Sequence, residues 1–383
     1  MNPERRARVA LSRLVEPGTA SVLAAVQESG AVATWARLRE GRRLPGMSAA
    51  LAEGAAHRAG SCDPDADLRA LERCGGRVVC PGDDEWPTDR LIWPGDAVRS
   101  APPVVLYARG PLGLADATAR SVAVVGARAA TAYGSHVATE LGMGLAEAGT
   151  TVVSGGAYGI DGAAHVGALR AEGAPTVAVL ACGVDVAYPR GHDRLLARIA
   201  ATGLVLSEVP PGCAPMRSRF LVRNRLIAAL SQGTVVVEAA LRSGSLSTAA
   251  RAEELSRPVM AVPGPVTSAA SAGCHELLRA GALCVTGARQ VLEHVGSSGE
   301  DLCETPRGRA DPRDHLSAVV RQVLEAVPVR RGAGEASIAR TAGVATLVVQ
   351  QVLPPLVVAG LVERTDGGYR LTALGMARPA AAG

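Results

Sequence analysis

The feature that most constrains the fold is an alternation of short apolar runs with helix-like segments between positions 104 and 295. Eight runs rich in valine, most of them followed by Gly, Ser or Pro, are VVLYA, SVAVVG, TTVVSG, TVAVLA, LVLSE, TVVVE, PVMAVPG and ALCVTG. Strands that are apolar on both faces and separated by helices are typical of a parallel sheet covered on both sides. The pattern therefore predicts an α/β fold with an extended Rossmann-like, doubly wound and mostly parallel sheet.

Regions of different composition flank this central part. Residues 1–70 are rich in Ala, Leu and Arg at helical spacing, which predicts an N-terminal helical domain. The Rossmann-like domain is predicted over 71–297, and the polar stretch 298–314, which contains several Gly and Pro, is typical of a linker. Residues 315–383 show three helical segments and then a hairpin around the sequence TDGGY, which is the element order of a winged-helix domain.

The basic residues limit the chemistry that is open to this chain. All 40 are arginine and none is lysine. A Walker-type phosphate loop and Schiff-base catalysis both need a lysine, so both are excluded. The net charge of +4 permits a nucleic-acid partner without requiring one, and a basic patch must therefore be local.

Membrane, export and metal signals are weak throughout the sequence. No apolar run reaches the roughly 18 residues that span a bilayer, and the N-terminal segment lacks the apolar core of a signal peptide. We therefore expect a cytoplasmic protein without a membrane partner. The eight cysteines form no C-x-x-C pair and show no zinc spacing, which favours reduced, mostly buried thiols and no metal site.

Small residues, hydroxyls and arginines follow several predicted strands, and the carboxyl ends of parallel strands are where α/β proteins bind ligands. Glycines let a phosphate approach the main chain, helix N-termini attract its charge, and an arginine can add a bidentate contact. Tight strand-to-helix turns also need glycine for purely structural reasons. Without a G-x-G-x-x-G fingerprint, a dinucleotide cofactor is not expected. The segments concerned are Gly126-Ala127-Arg128, Ser154-Gly155-Gly156 and Arg242-Ser243-Gly244-Ser245.

Four residues at this edge invite a catalytic interpretation. Asp161 and His165 are four apart and could form an acid/base pair, although Asp161 is better placed to cap its own helix and His165 to be packed. Glu238 could be a general base or could hold a nearby arginine. Ser245 lacks a G-x-S-x-G elbow, which favours a phosphate-binding hydroxyl over a nucleophile.

The densest basic cluster surrounds the only phenylalanine of the chain. Arg217, Arg219, Arg223 and Arg225 fall within nine positions around Phe220, and no acidic residue interrupts them. A basic groove with an aromatic ring suits single-stranded nucleic acid, because arginines follow the phosphates and the ring stacks on a base. The alternatives are a solvated helix end and a ring that locks the loop against the core.

Several ordered motifs closely resemble the DprA/Smf family, the DNA-processing proteins of bacterial natural transformation. They are VAVVGARAATAYG, VVSGGAYGIDGAAHVGAL, AVLACGVDVAYPRGH, the long segment LSEVPPGCAPMRSRFLVRNRLIAALSQGTVVVEAALRSGSLSTAARA, and VMAVPGPVTSAASAGCHELLRAGA. The resemblance covers roughly residues 100–295. The N-terminal helices, 1–70, are similar to the family's helical SAM or helix-hairpin-helix-like extension and the C-terminal residues to its winged-helix domain, both less strongly.

The resemblance implies a homodimeric protein that binds single-stranded DNA without sequence preference, protects it and loads the recombinase RecA, with no catalytic activity and no cofactor. Carried over by motif, the DNA-binding positions are Gly126, Arg128, Ser154, Gly155, Gly156, Arg190, Phe220, Arg223, Asn224, Arg225, Gly244 and Ser245. Two positions depart from the family pattern. Ala127 replaces a common serine in the first loop, and His275 replaces a common asparagine.

Two other functions remain open from the sequence. Related Rossmann folds are phosphoribohydrolases of nucleoside monophosphates, but this chain has SQGTVVVEA where those enzymes carry a Pro-Gly-Gly-x-Gly-Thr loop. A winged-helix regulator of double-stranded DNA is the other alternative. The third helix of that domain, within 344–360, has no charged residue and offers only Gln350 and Gln351 to read bases, which favours a protein-contact or structural role.

Overall fold

A computed structural model of the chain describes residues 2–92, 102–171, 173, 176–296 and 315–376. The chain divides into two compact units, one ending at position 303 and the other beginning at 304. The predicted linker, 298–314, lies outside the described residues, so its assignment stays a prediction.

The first unit is built on a sheet that has nine strands within the described residues. Their spatial order is β1-β2-β6-β5-β4-β3-β7-β8-β9. Strands β3 to β9 run parallel to one another, whereas β2 is antiparallel to both of its neighbours, β1 and β6. The strands are β1 Gly76–Val79, β2 Leu106–Arg109, β3 Ser121–Val125, β4 Thr151–Gly155, β5 Thr176–Leu180, β6 Leu204–Ser207, β7 Gly233–Val236, β8 Val259–Ala261 and β9 Leu283–Cys284.

The predicted α/β class and mostly parallel sheet are confirmed, and each of the eight apolar runs contains a strand. The edge strand β1 was not predicted from the sequence. This strand has four residues, GRVV, and one of them, Arg77, is charged. The Arg77 side chain is accommodated because it bonds Glu85 and the carbonyl oxygens of Gly110 and Leu112. A short polar strand of this kind gives no alternation to detect.

The strands are apolar throughout because helices cover both faces of the sheet. Val122 and Val124 of β3 pack in one apolar cluster, which includes Leu141. Ala123 and Val125 point the other way, into a cluster of their own. Successive side chains of a strand alternate between faces, so each β3 residue enters one core or the other.

Twelve α-helices of the described residues belong to this unit. They are α1 Pro3–Leu14, α2 Ala20–Arg39, α3 Ala49–Ala59, α4 Pro64–Arg73, α5 Leu114–Ala119, α6 Ala132–Glu147, α7 Ile160–Ala168, α8 Asp193–Thr202, α9 Arg217–Ala229, α10 Ser245–Glu254, α11 Ala272–Arg279 and α12 Ala288–Val295. Helix α2 breaks at Gly30, whose φ of 80° suits glycine. The Glu4 carboxylate then accepts from the amide of Ala31 and so caps the second half.

The N-terminal helices pack in the same compact unit as the sheet. The hydroxyls of Ser12 in α1 and Tyr107 in β2 lie 2.7 Å apart, and Arg8 donates to the Val104 carbonyl at 2.9 Å. A separate domain boundary near residue 70 therefore stays a prediction, since the contacts cross it.

The second unit contains four helices and one hairpin among its described residues. They are α13 Ala318–Ala326, α14 Glu335–Ala342, α15 Thr346–Val358, β10 Val362–Thr365, β11 Gly368–Leu371 and α16 Ala373–Met376. An isolated bridge joins Ala333 to Tyr369, and the core includes Leu324, Ile338 and Leu353. The winged-helix assignment stays a prediction.

Among the described residues, no single helix is long and apolar enough to cross a membrane. Helices α14 and α15 reach that length and apolar content only when they are taken together, and the chain bends by 106° between them.

Candidate nucleic-acid interface

An open groove of about 840 Å³ lies at the carboxyl edge of the parallel strands. It is formed by the turn after β3, the turn between β7 and α10, and the first turns of α9. We call it the edge groove. Its lining residues include Gly126, Arg128, Asp161, Tyr188, Arg217, Phe220, Leu221, Arg223, Asn224, Arg242, Ser243, Gly244 and Ser245. Seven of the twelve predicted DNA-binding residues are among them.

Phe220 lies at the surface of the edge groove between an arginine and a tyrosine. The guanidinium carbon of Arg128 is 4.7 Å from the ring centroid, and the Tyr188 ring is 5.6 Å away at an interplanar angle of 53°. Phe220 is half-buried and Tyr188 is 40% exposed. The ring is absent from the apolar core clusters of the described residues, so the core-lock interpretation is wrong. Base stacking stays a prediction.

The four arginines of α9 point to four different surroundings. Arg217 is exposed and lines the edge groove. Arg219 faces away from it and makes a bidentate ion pair with Glu16, with both N–O distances 2.7 Å. Helix α9 therefore lines the groove with one side and contacts Glu16, between α1 and α2, with another.

Arg225, a predicted DNA contact, is buried and does not line the edge groove. Its side chain is 2% exposed and pairs with the Glu208 carboxylate. Burial raises the pKa of Glu208, and the Arg225 charge and the Gly18 amide oppose the shift. The sequence shows no acid within the basic run, but the fold brings Glu16 and Glu208 to it from distant positions. Arg225 is thus a buried structural cation.

Arg223 is buried at the floor of the edge groove beside Asp161. Its Nη1 donates to the Val179 carbonyl at 2.5 Å. A Cβ at Gly155 would lie 2.0 Å from this Nη1 and 2.5 Å from the Asp161 carboxylate, so only glycine leaves room for the pair. Within the described residues the Nε of Arg223 has no hydrogen-bond partner. Arg223 is therefore a cation with one unmet donor under the groove.

The charges of Asp161 and Arg223 are both disfavoured by burial. Burial raises the pKa of Asp161 to about 6, while Arg223, Arg128 and the amides of Ala157 and Gly126 oppose the shift. Burial lowers the pKa of Arg223, and Asp161 opposes that change. Because the pKa of Asp161 is raised to about 6, the net charge of the groove floor depends on pH.

The second glycine-rich loop, Ser154-Gly155-Gly156, lies behind Arg223 and Asp161 and is not among the lining residues of the edge groove. Ser154 is buried, and its hydroxyl donates to the Val124 carbonyl at 2.6 Å. A Cβ at Gly156 would meet Leu180 at 3.0 Å. The prediction that the Ser154 side chain contacts DNA is therefore wrong, since that hydroxyl is already engaged inside the sheet.

The acid/base interpretations of the sequence do not survive in the structure. His165 is buried, with its ring nitrogens 2.8 Å from Thr176 Oγ1 and 3.1 Å from the Gly155 carbonyl. Burial lowers its pKa to about 4. Asp161 does not cap its helix, because the N-cap residue is Gly159. His165 is thus a packed histidine, as expected, and not the partner of Asp161.

Glu238 neither faces an arginine nor lies free as a base. Its carboxylate accepts from the Thr131 amide at 2.9 Å and from the Thr131 hydroxyl at 2.6 Å. The side chain is 2% exposed. Both roles considered from the sequence are therefore wrong, and the carboxylate instead anchors the first loop.

The turn before α10 lines the edge groove, and hydrogen bonds within the turn engage the first amides of the helix. Helix α10 begins after Gly244, which is exposed and provides no side-chain cap. The Asn224 amide donates to the Gly244 carbonyl at 3.1 Å, and the hydroxyls of Ser243 and Ser245 are 2.7 Å apart. Asn224 thus positions this turn.

Arg190 and three further residues complete the comparison with the sequence. Arg190 is exposed in a short 3₁₀ turn and does not line the edge groove. Arg217, Arg242 and Tyr188 do line it, although they were not among the DNA-binding positions carried over by motif. Arg242 was visible as the arginine of the RSGS turn, whereas Tyr188 gave no signal that distinguished it from a packed ring.

The described residues contain no group of three or more His, Cys, Asp or Glu side chains arranged to hold a metal ion. The thiols of Cys80, Cys182 and Cys274 are buried, and burial raises the pKa of each to about 11.

Known proteins are similar to this chain in sequence and in structure. The sequence pattern of the family described as "DNA recombination-mediator protein A" matches residues 77–296. A putative DNA processing protein DprA of Mycobacterium tuberculosis (strain H37Rv) is 49% identical over 391 aligned positions, which cover 100% of this chain and 98% of that protein. The DNA processing protein DprA of Streptococcus pneumoniae is 45% identical over 190 residues, covering 50% of this chain and 66% of that protein. The X-ray structure of DprA from Streptococcus pneumoniae superimposes with a TM-score of 0.62 at 32% identity, covering 78% of this chain and 99% of the other.

Proposed function

Because the chain belongs to the DNA recombination-mediator protein A family, we propose that it binds single-stranded DNA without sequence preference in the edge groove. The observation that carries this proposal is the stack of Arg128 on Phe220, beside Tyr188, in a groove that also bears Arg217 and Arg242. A half-buried aromatic ring in a groove offers a base a stacking surface, and the arginines offer its phosphates charge-assisted contacts.

The kinds of contact that the groove offers support binding without sequence preference. Arg128, Arg217 and Arg242 are exposed and suit phosphates, which carry no sequence information. The Asn224 amide, which could otherwise read a base edge, is engaged with Gly244. Every base has a π-face, so a stack on Phe220 tolerates any base. The bases of a duplex have no free face, which favours a single strand.

The role of the bound strand follows from the family. We propose that the protein protects incoming single-stranded DNA and loads a RecA-type recombinase onto it during transformation or recombination. The description of the family as a recombination mediator supports this role. We further propose a homodimer formed through the unit that carries the sheet. Light scattering of the purified chain tests the dimer, and displacement of a single-strand-binding protein by RecA tests loading.

The two alternative functions are less well supported by the contacts. A nucleoside-monophosphate hydrolase would need a base such as Glu238, but Thr131 occupies that carboxylate. A winged-helix regulator would need a polar reading helix, but α15 carries no charged side chain, and its Gln350 amide donates to Glu335 at 2.8 Å. We therefore propose a binding protein without catalytic turnover.

Direct competition between ligands tests the proposed function. Fluorescence anisotropy of a labelled oligo-dT is measured with unlabelled oligo-dT, oligo-dA, the matching duplex and dTMP as competitors. Similar competition by the two single strands, with weak competition by duplex and dTMP, is the expected result. Preferential binding of duplex, or release of a base from dTMP, would overturn the proposal and favour one of the alternatives.

A further inference from the structure

Helices α6 and α10 both begin at the carboxyl edge of the sheet, after the neighbouring strands β3 and β7. In α/β proteins a helix N-terminus at this edge is the usual place for the phosphate of a mononucleotide or dinucleotide. The two termini differ here. At the start of α10 the Ser245 amide donates to Ser243 Oγ at 3.4 Å and the Leu246 amide donates to the Ser243 carbonyl at 3.3 Å, whereas the first turn of α6 is filled by a carboxylate from outside the helix.

The group that fills the first turn of α6 is the Glu238 carboxylate. It accepts from the amide and the hydroxyl of Thr131, the N-cap residue of α6. It also lies against Gly134, since a Cβ at that position would be 2.2 Å from Glu238 Oε2. Thr131 Oγ1 in turn accepts from the Gly134 amide at 3.1 Å. The start of α6 is thus capped by a hydroxyl that the carboxylate holds.

The position of Glu238 is fixed by its main chain as well as by its side chain. Its carbonyl accepts from the Ala127 amide at 2.7 Å, so both ends of the loop 127–131 are tied to one residue. The side chain is 2% exposed. A carboxylate held in this way stays at the positive end of the helix and compensates its dipole.

We propose that Glu238 determines ligand specificity by acting as an internal anion. It closes the N-terminus of α6 to inorganic phosphate and to the phosphate of a free nucleotide. A phosphate cannot share the site, because the carboxylate fills the space and repels a second negative charge. This inference does not depend on the binding of DNA.

Replacement of the carboxylate by a small side chain tests the proposal through a gain of phosphate binding. Thermal unfolding of the full chain is followed in phosphate and in chloride at matched ionic strength. The proteins compared are the wild type, Glu238→Ala, the equally sized Glu238→Gln, and Leu145→Ala, which opens a cavity at the last turn of α6, far from its first turn. Phosphate bound to the native state raises the Tm.

The expected result is that phosphate raises the Tm of Glu238→Ala by about 3 °C more than it raises the Tm of the other three proteins. If Glu238→Ala is unfolded in chloride, phosphate should restore its circular dichroism spectrum. Equal shifts for all four proteins, or no recovery of an unfolded Glu238→Ala in phosphate, would overturn the proposal.

Discussion

The guanidinium carbon of Arg128, in the turn after β3, lies 4.7 Å from the centre of the Phe220 ring, in the first turns of α9. The contact joins two segments that are far apart in the sequence and places a cation on a ring at the surface of the edge groove. Tyr188 meets the same ring from another direction. The aromatic surface is therefore preorganised before any ligand arrives, which lowers the cost of ordering it on binding.

Removal of the Phe220 ring is expected to weaken single-strand binding without altering its dependence on salt. Phe220→Ala should lower the affinity for oligo-dT by about 1–3 kcal/mol, the usual contribution of one stacked base. Phe220→Trp keeps an aromatic face and should retain most of the affinity. Anisotropy titrations at several salt concentrations measure both properties. An unchanged affinity of a folded Phe220→Ala protein would contradict the stacking role.

Loss of the Glu208 carboxylate is expected to destabilise the fold strongly. Glu208→Ala would leave the Arg225 charge buried, and breaking a buried pair in this way lowers the free energy of unfolding by about 3–5 kcal/mol. Glu276→Ala, which removes half of the exposed pair with Arg279, should cost at most about 1 kcal/mol. Urea unfolding distinguishes the two, and equal small effects would show that the buried pair is not needed.

Acidification is expected to strengthen single-strand binding through Asp161. The pKa of Asp161 is raised to about 6 by burial, so its negative charge is lost as the pH falls from 7 to 5.5. Fewer negative charges beside Arg128 and Arg223 favour phosphate, by about tenfold for one charge at an effective dielectric constant near 20. The affinity of Asp161→Asn should be independent of pH over this range. A wild-type affinity that falls on acidification would contradict the assignment.

The same shift predicts the effect of Asp161 on stability. An acid whose pKa is higher in the folded protein than in the unfolded chain, where it is about 3.9, favours folding when protonated. Its contribution is fully present below about pH 4 and is lost as the pH rises toward 6. Asp161→Asn should therefore remove a decrease in stability between pH 4 and 6. Urea unfolding across this range measures it, and identical pH profiles for variant and wild type would count against it.

Thiol reactivity is expected to follow burial. Cys284 is exposed, whereas Cys80, Cys182 and Cys274 are buried, and the pKa of each of these three is raised to about 11. A thiol reagent should modify Cys284 within minutes under native conditions and the three buried thiols only after unfolding. Peptide mapping by mass spectrometry identifies the modified positions, and rapid labelling of Cys274 would contradict the described packing.

Most of the sheet could be predicted because its strands are buried on both faces, and continuous valine-rich runs such as SVAVV report that burial directly. The edge strand Gly76–Val79 could not be predicted, since Arg77 is stabilised by Glu85 and by loop carbonyls that only the fold brings near. The same applies to the N-terminal helices, whose contacts with the sheet are made by side chains such as Ser12.

The site was predicted in outline, with errors in individual residues. Gly126 and Arg128, in the turn after β3, and Phe220, in the first turns of α9, all line the edge groove. The burial of Arg223 and Arg225 could not be predicted, because Asp161 and Glu208 are remote in the sequence and adjacent in the fold. Arginine spacing along one helix shows which side chains are neighbours. It does not show which face is buried by another element.

The choice of variants for a binding test follows from this division. Replacement of Arg223 and Arg225 would leave two buried acids without the cations beside them and would confuse binding with folding. Arg217 and Arg242 are exposed and line the edge groove, so they can be replaced with little effect on stability. Arg279, exposed and outside the lining, is the matched control for loss of positive charge.

The most direct test of the account is the affinity for oligo-dT across a salt series, compared between wild type, Arg217→Ala/Arg242→Ala and Arg279→Ala. We expect the wild type to show strong salt dependence. The double variant should bind much more weakly, with a slope of log K against log salt reduced by about 1.4, since each phosphate contact on a single strand contributes about 0.7. Arg279→Ala should match the wild type. A folded double variant with unchanged affinity and slope would show that single-stranded DNA does not bind in the edge groove.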